Sequence, residues 1–121
     1  MADPIEQLMH ANLLEVFNER DDSARRAAIA RTYAEGVRWV DDEGESIGRE
    51  ALDVKCVDLQ NSLGPLQFEA VGPTRVLNGF GHLAWRLVAP DGSSPMAGFD
   101  VALVENGVIA VLYTVLTPPA S

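Results

Sequence analysis

Residues 81–116 read GHLAWRLVAPDGSSPMAGFDVALVENGVIAVLYTVL, and this stretch decides the fold class. It contains three runs rich in β-branched, aromatic and other apolar residues, which are typical of strands. The segments Pro90-Asp91-Gly92 and Asn106-Gly107 separate these runs, and both are typical of tight turns. The stretch therefore predicts antiparallel hairpins. With two shorter runs upstream, the predicted strands cover residues 66–71, 74–77, 81–88, 96–104 and 108–116.

The part of the chain that precedes this stretch predicts three helices. In each, apolar residues recur at spacings of three and four, and capping or helix-breaking residues mark the ends. A short strand over residues 37–40 is expected between the second helix and the third. The helices are expected to begin at Asp3, Asp21 and Glu50, and the last two to end at Gly36 and Gly64.

Composition excludes several classes of protein. The chain has 121 residues, 47% of them hydrophobic, which suits a single domain over residues 1–121. Its formal net charge of −9 would repel nucleic acid. We find no apolar run near the roughly 20 residues that span a bilayer and no leader pattern, so we expect a cytoplasmic protein with no membrane partner. Cys56 is the single cysteine, and no histidine pair has metal-ligand spacing, so we expect no metal.

The strand over residues 96–104 has two different faces. On one face Asp100 lies mid-strand between the small residues Gly98 and Ala102, which leaves space around its carboxylate. The other face is apolar, and the last strand is apolar on both faces. Because three short helices cover only one side of a sheet, we expect a homodimer that buries the outer face, with coverage by loops as the alternative.

The register of the last hairpin is open. A three-residue loop over residues 105–107 would set Asp100 opposite Leu112. A two-residue turn at Asn106-Gly107 would set Asp100 opposite Tyr113 instead. The choice decides which side chains of the last strand share a surface with Asp100.

The order helix, helix, strand, helix and long meander resembles the nuclear transport factor 2-like superfamily, which includes ketosteroid isomerases and SnoaL-like polyketide cyclases. The resemblance is carried by residues 33–42, residues 48–52 and Phe99-Asp100-Val101 before the Asn106-Gly107 turn. It implies an α+β, cone-shaped fold, with three N-terminal helices packed on a strongly curved antiparallel sheet. It also implies a pocket at the wide end and, usually, a dimer.

The resemblance implies particular site residues as well. Asp41 matches the carboxylate base of ketosteroid isomerases. Asp100 matches their protonated carboxyl group, which donates a hydrogen bond to the developing oxyanion. The resemblance also favours the three-residue loop, in which the residues facing the pocket are Leu112, Thr114 and Leu116.

The residues themselves support a chemical role for this pair. Two carboxyl groups in one apolar pocket are not expected to be ionised together, because burial and like charge both disfavour the anion. We expect Asp41 to be an ionised general base and Asp100 to be protonated. In the alternative, Asp41 caps the following turn and Asp100 accepts hydrogen bonds. The other residues expected to bind substrate are Phe17, Trp39, Lys55, Leu83, Trp85, Leu112 and Thr114.

These features predict a small-molecule pocket protein. The leading hypothesis is a cofactor-independent isomerase, cyclase or dehydratase that moves a proton on a small apolar or aromatic carbonyl compound. The alternative is a dimer of the same fold that binds a hydrophobic ligand or a partner without chemistry.

Overall fold

The computed structural model describes residues 3–117, which form three α-helices and six strands. Residues 118–121, expected from the sequence to be a loose tail, lie outside that range. A π-helical segment, Asn12–Phe17, directly continues the first helix. The helices are α1 (Pro4–Ala11), α2 (Asp22–Thr32) and α3 (Arg49–Leu63), and the strands are β1 (Tyr33–Asp41), β2 (Gly44–Ile47), β3 (Gln67–Leu77), β4 (Phe80–Val88), β5 (Met96–Glu105) and β6 (Val108–Thr117).

The six strands form one curved, mixed sheet in the order β2-β1-β6-β5-β4-β3. All neighbouring strands are antiparallel except β1 and β6, which run parallel. Our prediction of an antiparallel sheet is wrong for this one pair of strands. Turn residues indicate only how strands adjacent in the chain are connected, and β1 and β6 are not adjacent in the chain. Three N-terminal helices packed on this sheet confirm the predicted α+β fold class.

The second helix ends earlier than the sequence predicted. It stops at Thr32, and β1 begins at Tyr33, so residues 33–36 are extended rather than helical. Tyr33 and Val37 are fully buried, and the pairing of β1 with β6 is irregular between Tyr33 and Arg38. Burial of these side chains outweighs the modest helix preference of the intervening residues. We did not predict β2, which pairs with the end of β1.

The third strand is one element rather than the two that we predicted. Gly72-Pro73 was expected to divide it, but β3 continues through these residues to Leu77. Gly72 has a φ of 73°, and the pairing with β4 shifts between Val71 and Arg75. The glycine and proline therefore produce a bulge inside a strand instead of a turn between two strands.

The last hairpin takes neither of the two registers considered from the sequence. Asn106-Gly107 forms a two-residue turn with positive φ at both positions. A bulge just beyond the turn adds one residue on the β6 side, so Asp100 pairs with Thr114 instead of Leu112 or Tyr113. A bulge of this kind leaves no mark in the hydrophobic pattern, and it places a hydroxyl group directly beside the carboxylate.

The helices cover one face of the sheet, which we call the inner face, and the core lies between them. Buried apolar side chains from the three helices, the π-helical segment and the strands form this core. At its edge the guanidinium group of Arg25 is also buried, and its Nε lies 2.7 Å from Asp53 Oδ1. This ion pair connects α2 to α3, which borders the cavity described below.

Gly98 of β5 allows a tryptophan ring to lie close against the sheet. Gly98 pairs with Trp85 of β4. A Cβ at Gly98 would lie 2.6 Å from the Trp85 ring and 2.4 Å from the carbonyl oxygen of Val115. Moving the packed indole or the strand backbone away would cost stability. The absence of a side chain at Gly98 therefore allows the Trp85 ring to lie where it does.

We expect Gly98→Ala to lower the free energy of unfolding by roughly 3 kcal/mol, since the new methyl group overpacks the sheet. Gly36→Ala is the matched control, because Gly36 also lies in a strand and has no atom within 4 Å of the position a Cβ would take. Urea denaturation followed by tryptophan fluorescence measures both variants. Equal unfolding midpoints for the two would contradict the close contact.

Candidate functional site

A cavity of about 660 Å³ opens between the inner sheet face and the helices. This volume falls within the roughly 300–1,000 Å³ that is typical of small-molecule sites. Four rings line it in the order Trp39, Phe17, Phe68 and Trp85, and we call this row the aromatic wall. Consecutive rings pack edge to face, with centroid separations of 5.1, 5.9 and 5.0 Å. The cavity therefore offers a rigid apolar surface suited to a flat ligand.

Asp100 lines the cavity from β5, although only 4% of its surface is exposed. Trp85 Nε1 donates to its Oδ1 at 3.1 Å, and Asn12 Nδ2 donates to its Oδ2 at 2.8 Å. The hydroxyl group of Thr114, the cross-strand neighbour, is a third hydrogen-bond partner. The carboxylate is thus an acceptor for neutral donors from three different elements.

Burial and hydrogen bonding change the pKa of Asp100 in opposite directions. Removal from water raises the pKa and dominates, whereas the bonds from Trp85, Thr114 and Asn12 lower it, so the pKa is about 6. Asp100 is then mostly ionised at pH 7. This geometry does not fit the protonated donor that we expected, because an indole N–H and an amide N–H only donate.

Thr114 connects Asp100 to the aromatic wall. Trp39 Nε1 donates to Thr114 Oγ1 at 3.0 Å, which leaves the hydroxyl hydrogen of Thr114 available to Asp100. The two contacts come from different strands, since Trp39 belongs to β1 and Asp100 to β5. The position of Thr114 between them follows from the bulge in β6.

Asp41 lies at the mouth of the cavity, where β1 ends. Its Oδ2 is 2.7 Å from Lys55 Nζ, and its Oδ1 accepts a hydrogen bond from the Glu43 amide at 3.0 Å. The turn-capping role considered as the alternative is therefore present, together with an ion pair. Lys55 Nζ also lies 4.8 Å from the centre of the Trp39 ring, in a cation–π contact.

The mouth carries more negative than positive charge. Asp42, Glu43 and Asp58 line it together with Asp41, and Lys55 is the one cation among the described lining residues. Because Lys55 is already paired with Asp41, a ligand that enters here meets a net negative rim.

The cavity brings together most of the site residues that the sequence predicted, and it excludes two. Leu83 and Leu112 are fully buried in the core and do not line it. Both lie on the inner face beside the part of the sheet where Met9 of α1 packs on Gly81, so the helix covers them. The predicted residues that do line the cavity are Asp41, Asp100, Phe17, Trp39, Lys55, Trp85, Thr114 and Leu116.

Asn12 and Tyr33 belong to the same hydrogen-bond network, and we did not predict either. Asn12 is fully buried at the start of the π-helical segment, and the Tyr33 hydroxyl group donates a short hydrogen bond to its Oδ1. The sequence did contain a signal for Asn12, because it follows Met9 by three residues on the apolar stripe of the first helix. A polar residue on a buried stripe indicates a partner in the core.

Neither a metal site nor a membrane-spanning helix is found within residues 3–117. No group of three or more His, Cys, Asp or Glu residues in that range is placed to hold a metal ion. No helix in that range is long and apolar enough to cross a membrane.

Solved structures share this architecture. A candidate isomerase of the SnoaL-like family from Agrobacterium tumefaciens has a TM-score of 0.88 and 23% sequence identity, covering 94% of this chain and 97% of that chain. A candidate ketosteroid isomerase from Kribbella flavida has a TM-score of 0.72 and 16% identity, covering 98% and 81% of the two chains. A candidate SnoaL-like polyketide cyclase from a Jannaschia species has a TM-score of 0.72 and 16% identity, covering 96% and 90%.

No protein-family model and no curated protein matches the chain. The structural likeness shows that the chain has the fold of these SnoaL-like and ketosteroid isomerase structures, as the sequence predicted. A shared fold does not assign an activity, which has to be argued from the cavity itself.

We expect the stability of the fold to fall as pH rises through the titration of Asp100. Folding raises the pKa of this carboxyl group from 3.8 to about 6, so between these values the folded chain keeps a proton that the unfolded chain has lost. The resulting stabilisation, about 3 kcal/mol, is present below about pH 4 and lost above about pH 7. Urea denaturation across this range measures it.

The Asp100→Asn variant should lack this part of the pH dependence. Asp58→Asn, which removes another acid of the cavity lining, should keep it. The same pH dependence in Asp100→Asn and in the unmodified chain would show that Asp100 titrates normally.

Proposed function

We propose that the chain is a cofactor-independent enzyme that uses Asp100 as a general base on a small apolar carbonyl compound. The observation that carries this proposal is a carboxylate with a pKa of about 6 in the lining of an apolar cavity. A general base is most effective when its pKa lies near the working pH, and a positioned base contributes about 10²–10⁴ to a rate. An exposed aspartate, with a pKa near 4, would be a weaker base.

The proposed reaction begins with proton removal. Asp100 takes a proton from the carbon next to the carbonyl group, and the electron pair of that C–H bond moves to the carbonyl oxygen to give an enolate. Return of the proton at another carbon is an isomerisation, attack of the enolate carbon on a second carbonyl is a cyclisation, and loss of a neighbouring hydroxyl group is a dehydration. All three outcomes need the same first step.

Lys55 is the group that we propose for the enolate oxygen. An ammonium group has three N–H donors, and Asp41 occupies one of them at 2.7 Å. The contact of Lys55 with the Trp39 ring places the ammonium group at one end of the aromatic wall. In this assignment Asp41 positions Lys55 instead of acting as the base that the sequence led us to expect.

The charge at the mouth supports an uncharged substrate. Asp42, Glu43 and Asp58 would repel a carboxylate or a phosphate that approached Lys55. The aromatic wall would bind a flat apolar molecule by contact with its faces. We therefore propose neutral aromatic or polycyclic ketones as the substrate class.

A second candidate function is ligand binding without chemistry. It is favoured by the hydrogen bonds that Asp100 already accepts from Asn12, Trp85 and Thr114, since a satisfied buried acid can be structural. Such a protein would bind the same neutral molecules and leave them unchanged.

Hydrogen exchange in D₂O tests the proposal before the natural product is known. We expect the protein to catalyse deuterium uptake next to the carbonyl group of at least one bound ketone in a panel, measured by mass spectrometry. Because Asn cannot act as a base, Asp100→Asn should reduce this exchange by about 10²–10⁴. Asp58→Asn is the matched control and should retain it.

The two candidate functions give different results in this experiment. A ketone that quenches tryptophan fluorescence on binding, yet exchanges no faster with protein than without, would favour the binding protein. Full exchange activity in Asp100→Asn together with loss of activity in Asp41→Asn would show that Asp41, and not Asp100, is the general base.

We also propose that the chain forms a homodimer through the outer face of the sheet. The helices leave this face uncovered, and Leu103 and Val115 are 40% and 41% exposed there. Beside them the His82 ring contacts the Phe99 ring, with ring centroids 5.1 Å apart. Among the described residues His82 Nδ1 is buried with no hydrogen-bond partner. A second copy would cover the apolar groups and bring polar groups to the histidine.

Light scattering at micromolar concentration should give twice the mass of one chain. We expect Val115→Lys to give the mass of a single chain, because the charge lies in the proposed interface. Val54→Lys is the control, since Val54 is an exposed residue of α3 outside this face. A single-chain mass for the unmodified protein would exclude the dimer.

A further inference from the structure

Two fully buried residues lie behind Asp100, and neither of them lines the cavity. Asn12 Nδ2 donates to Asp100 Oδ2 at 2.8 Å, and the Tyr33 hydroxyl group donates to Asn12 Oδ1. The order of donors runs in one direction, from the phenol to the amide to the carboxylate. Neither Asn12 nor Tyr33 is required by the proposed proton transfer, so their role has to be sought in what they do to Asp100.

The phenol fixes the orientation of the amide. Burial and the nearby Asp100 charge raise the pKa of Tyr33 well above its usual value, so its hydroxyl group stays protonated. If the Asn12 amide turned over, its carbonyl oxygen would face the carboxylate, and two acceptors would meet in an apolar interior. The amide N–H therefore stays directed at Asp100.

We propose that Asn12 and Tyr33 are positioning residues: Tyr33 fixes the Asn12 amide, and that amide holds the Asp100 carboxylate as an acceptor at the cavity. When Asp100 takes a proton, Asn12 can present its carbonyl oxygen only if the Tyr33 hydroxyl group changes from donor to acceptor at the same time. Thr114 can adapt, since a hydroxyl group changes from donor to acceptor by rotation. The proton affinity of the base is then set partly by a residue that does not touch it.

The surroundings of Asp100 make this effect measurable. It faces Asn12 from the π-helical segment, Trp85 from β4 and Thr114 from β6, with Tyr33 of β1 behind Asn12. All four are uncharged near neutral pH. The charged groups of the cavity lining belong to its mouth, so a change at Tyr33 is not obscured by a change in neighbouring charge.

The test is a titration of the Asp100 carboxyl group by carbon-13 NMR in the free protein. Tyr33→Phe removes one oxygen and keeps the ring, and we expect it to raise the pKa of Asp100 by roughly one unit, because the freed amide no longer holds the anion. Asn12→Leu removes the donor itself and should raise the pKa by at least as much. The acid limb of the pH–rate profile for ketone exchange should move upward by the same amount.

Two controls separate positioning from general support of the fold. Tyr113→Phe makes the same chemical change on β6, at a side chain outside the cavity lining. Val16→Ala truncates a fully buried residue of the π-helical segment that makes no hydrogen bond to Asp100 through its side chain. Both variants should leave the pKa of Asp100 unchanged, although Val16→Ala should lower the free energy of unfolding.

The importance of this arrangement for catalysis rests on the proposed function, but the titration does not. An unchanged Asp100 titration in Tyr33→Phe and in Asn12→Leu would overturn the positioning role. A shifted titration in a protein that exchanges no ketone would support the positioning role and reject the enzyme.

Discussion

A carboxylate inside an apolar interior is the constraint on which the rest of this structure depends. Moving an ionised group out of water costs several kcal/mol unless hydrogen-bond donors replace the water. Asp100 is 4% exposed, so the protein has to supply those donors at hydrogen-bond distance. It does so from the π-helical segment, β4 and β6, and each donor is neutral. The pKa of about 6 records a balance in which burial still outweighs the donors.

Each donor depends on a local departure from regular structure. The bulge in β6 brings Thr114 opposite Asp100, and Gly98 leaves room for the ring of Trp85. The π-helical segment begins at Asn12, and such segments are frequent at functional sites because they redirect side chains that a regular helix would place elsewhere. Three irregularities in separate elements therefore meet at one side chain, which is the pattern expected where a site is built at some cost to ideal geometry.

Most of the fold could be predicted because its signals are periodic and local. Helix ends at capping residues and hairpins at Asn106-Gly107 follow from the chemistry of a few neighbours. The errors occur where a distant contact decides the outcome: Tyr33 is extended because its ring enters the core, and the β6 register depends on a bulge. Within the site, Asp100 was recognisable because an acid mid-strand is rare, whereas Tyr33 was not, since its partner is remote in sequence.

The two acids of the cavity are not a pair of equivalent carboxylates, and this difference changes the electrostatic argument. We expected one of them to be protonated because two like charges in an apolar pocket repel. Lys55 removes that requirement, since its ion pair with Asp41 offsets the charge of that carboxylate. The other acids of the mouth, Asp42, Glu43 and Asp58, are exposed to solvent, which screens their charge. Trp39 lies between the two sites, with the ammonium group over its face and its Nε1 on Thr114. The negative charge of Asp100 is thus surrounded by neutral donors and rings, and its pKa is set by burial and these hydrogen bonds rather than by a second carboxylate.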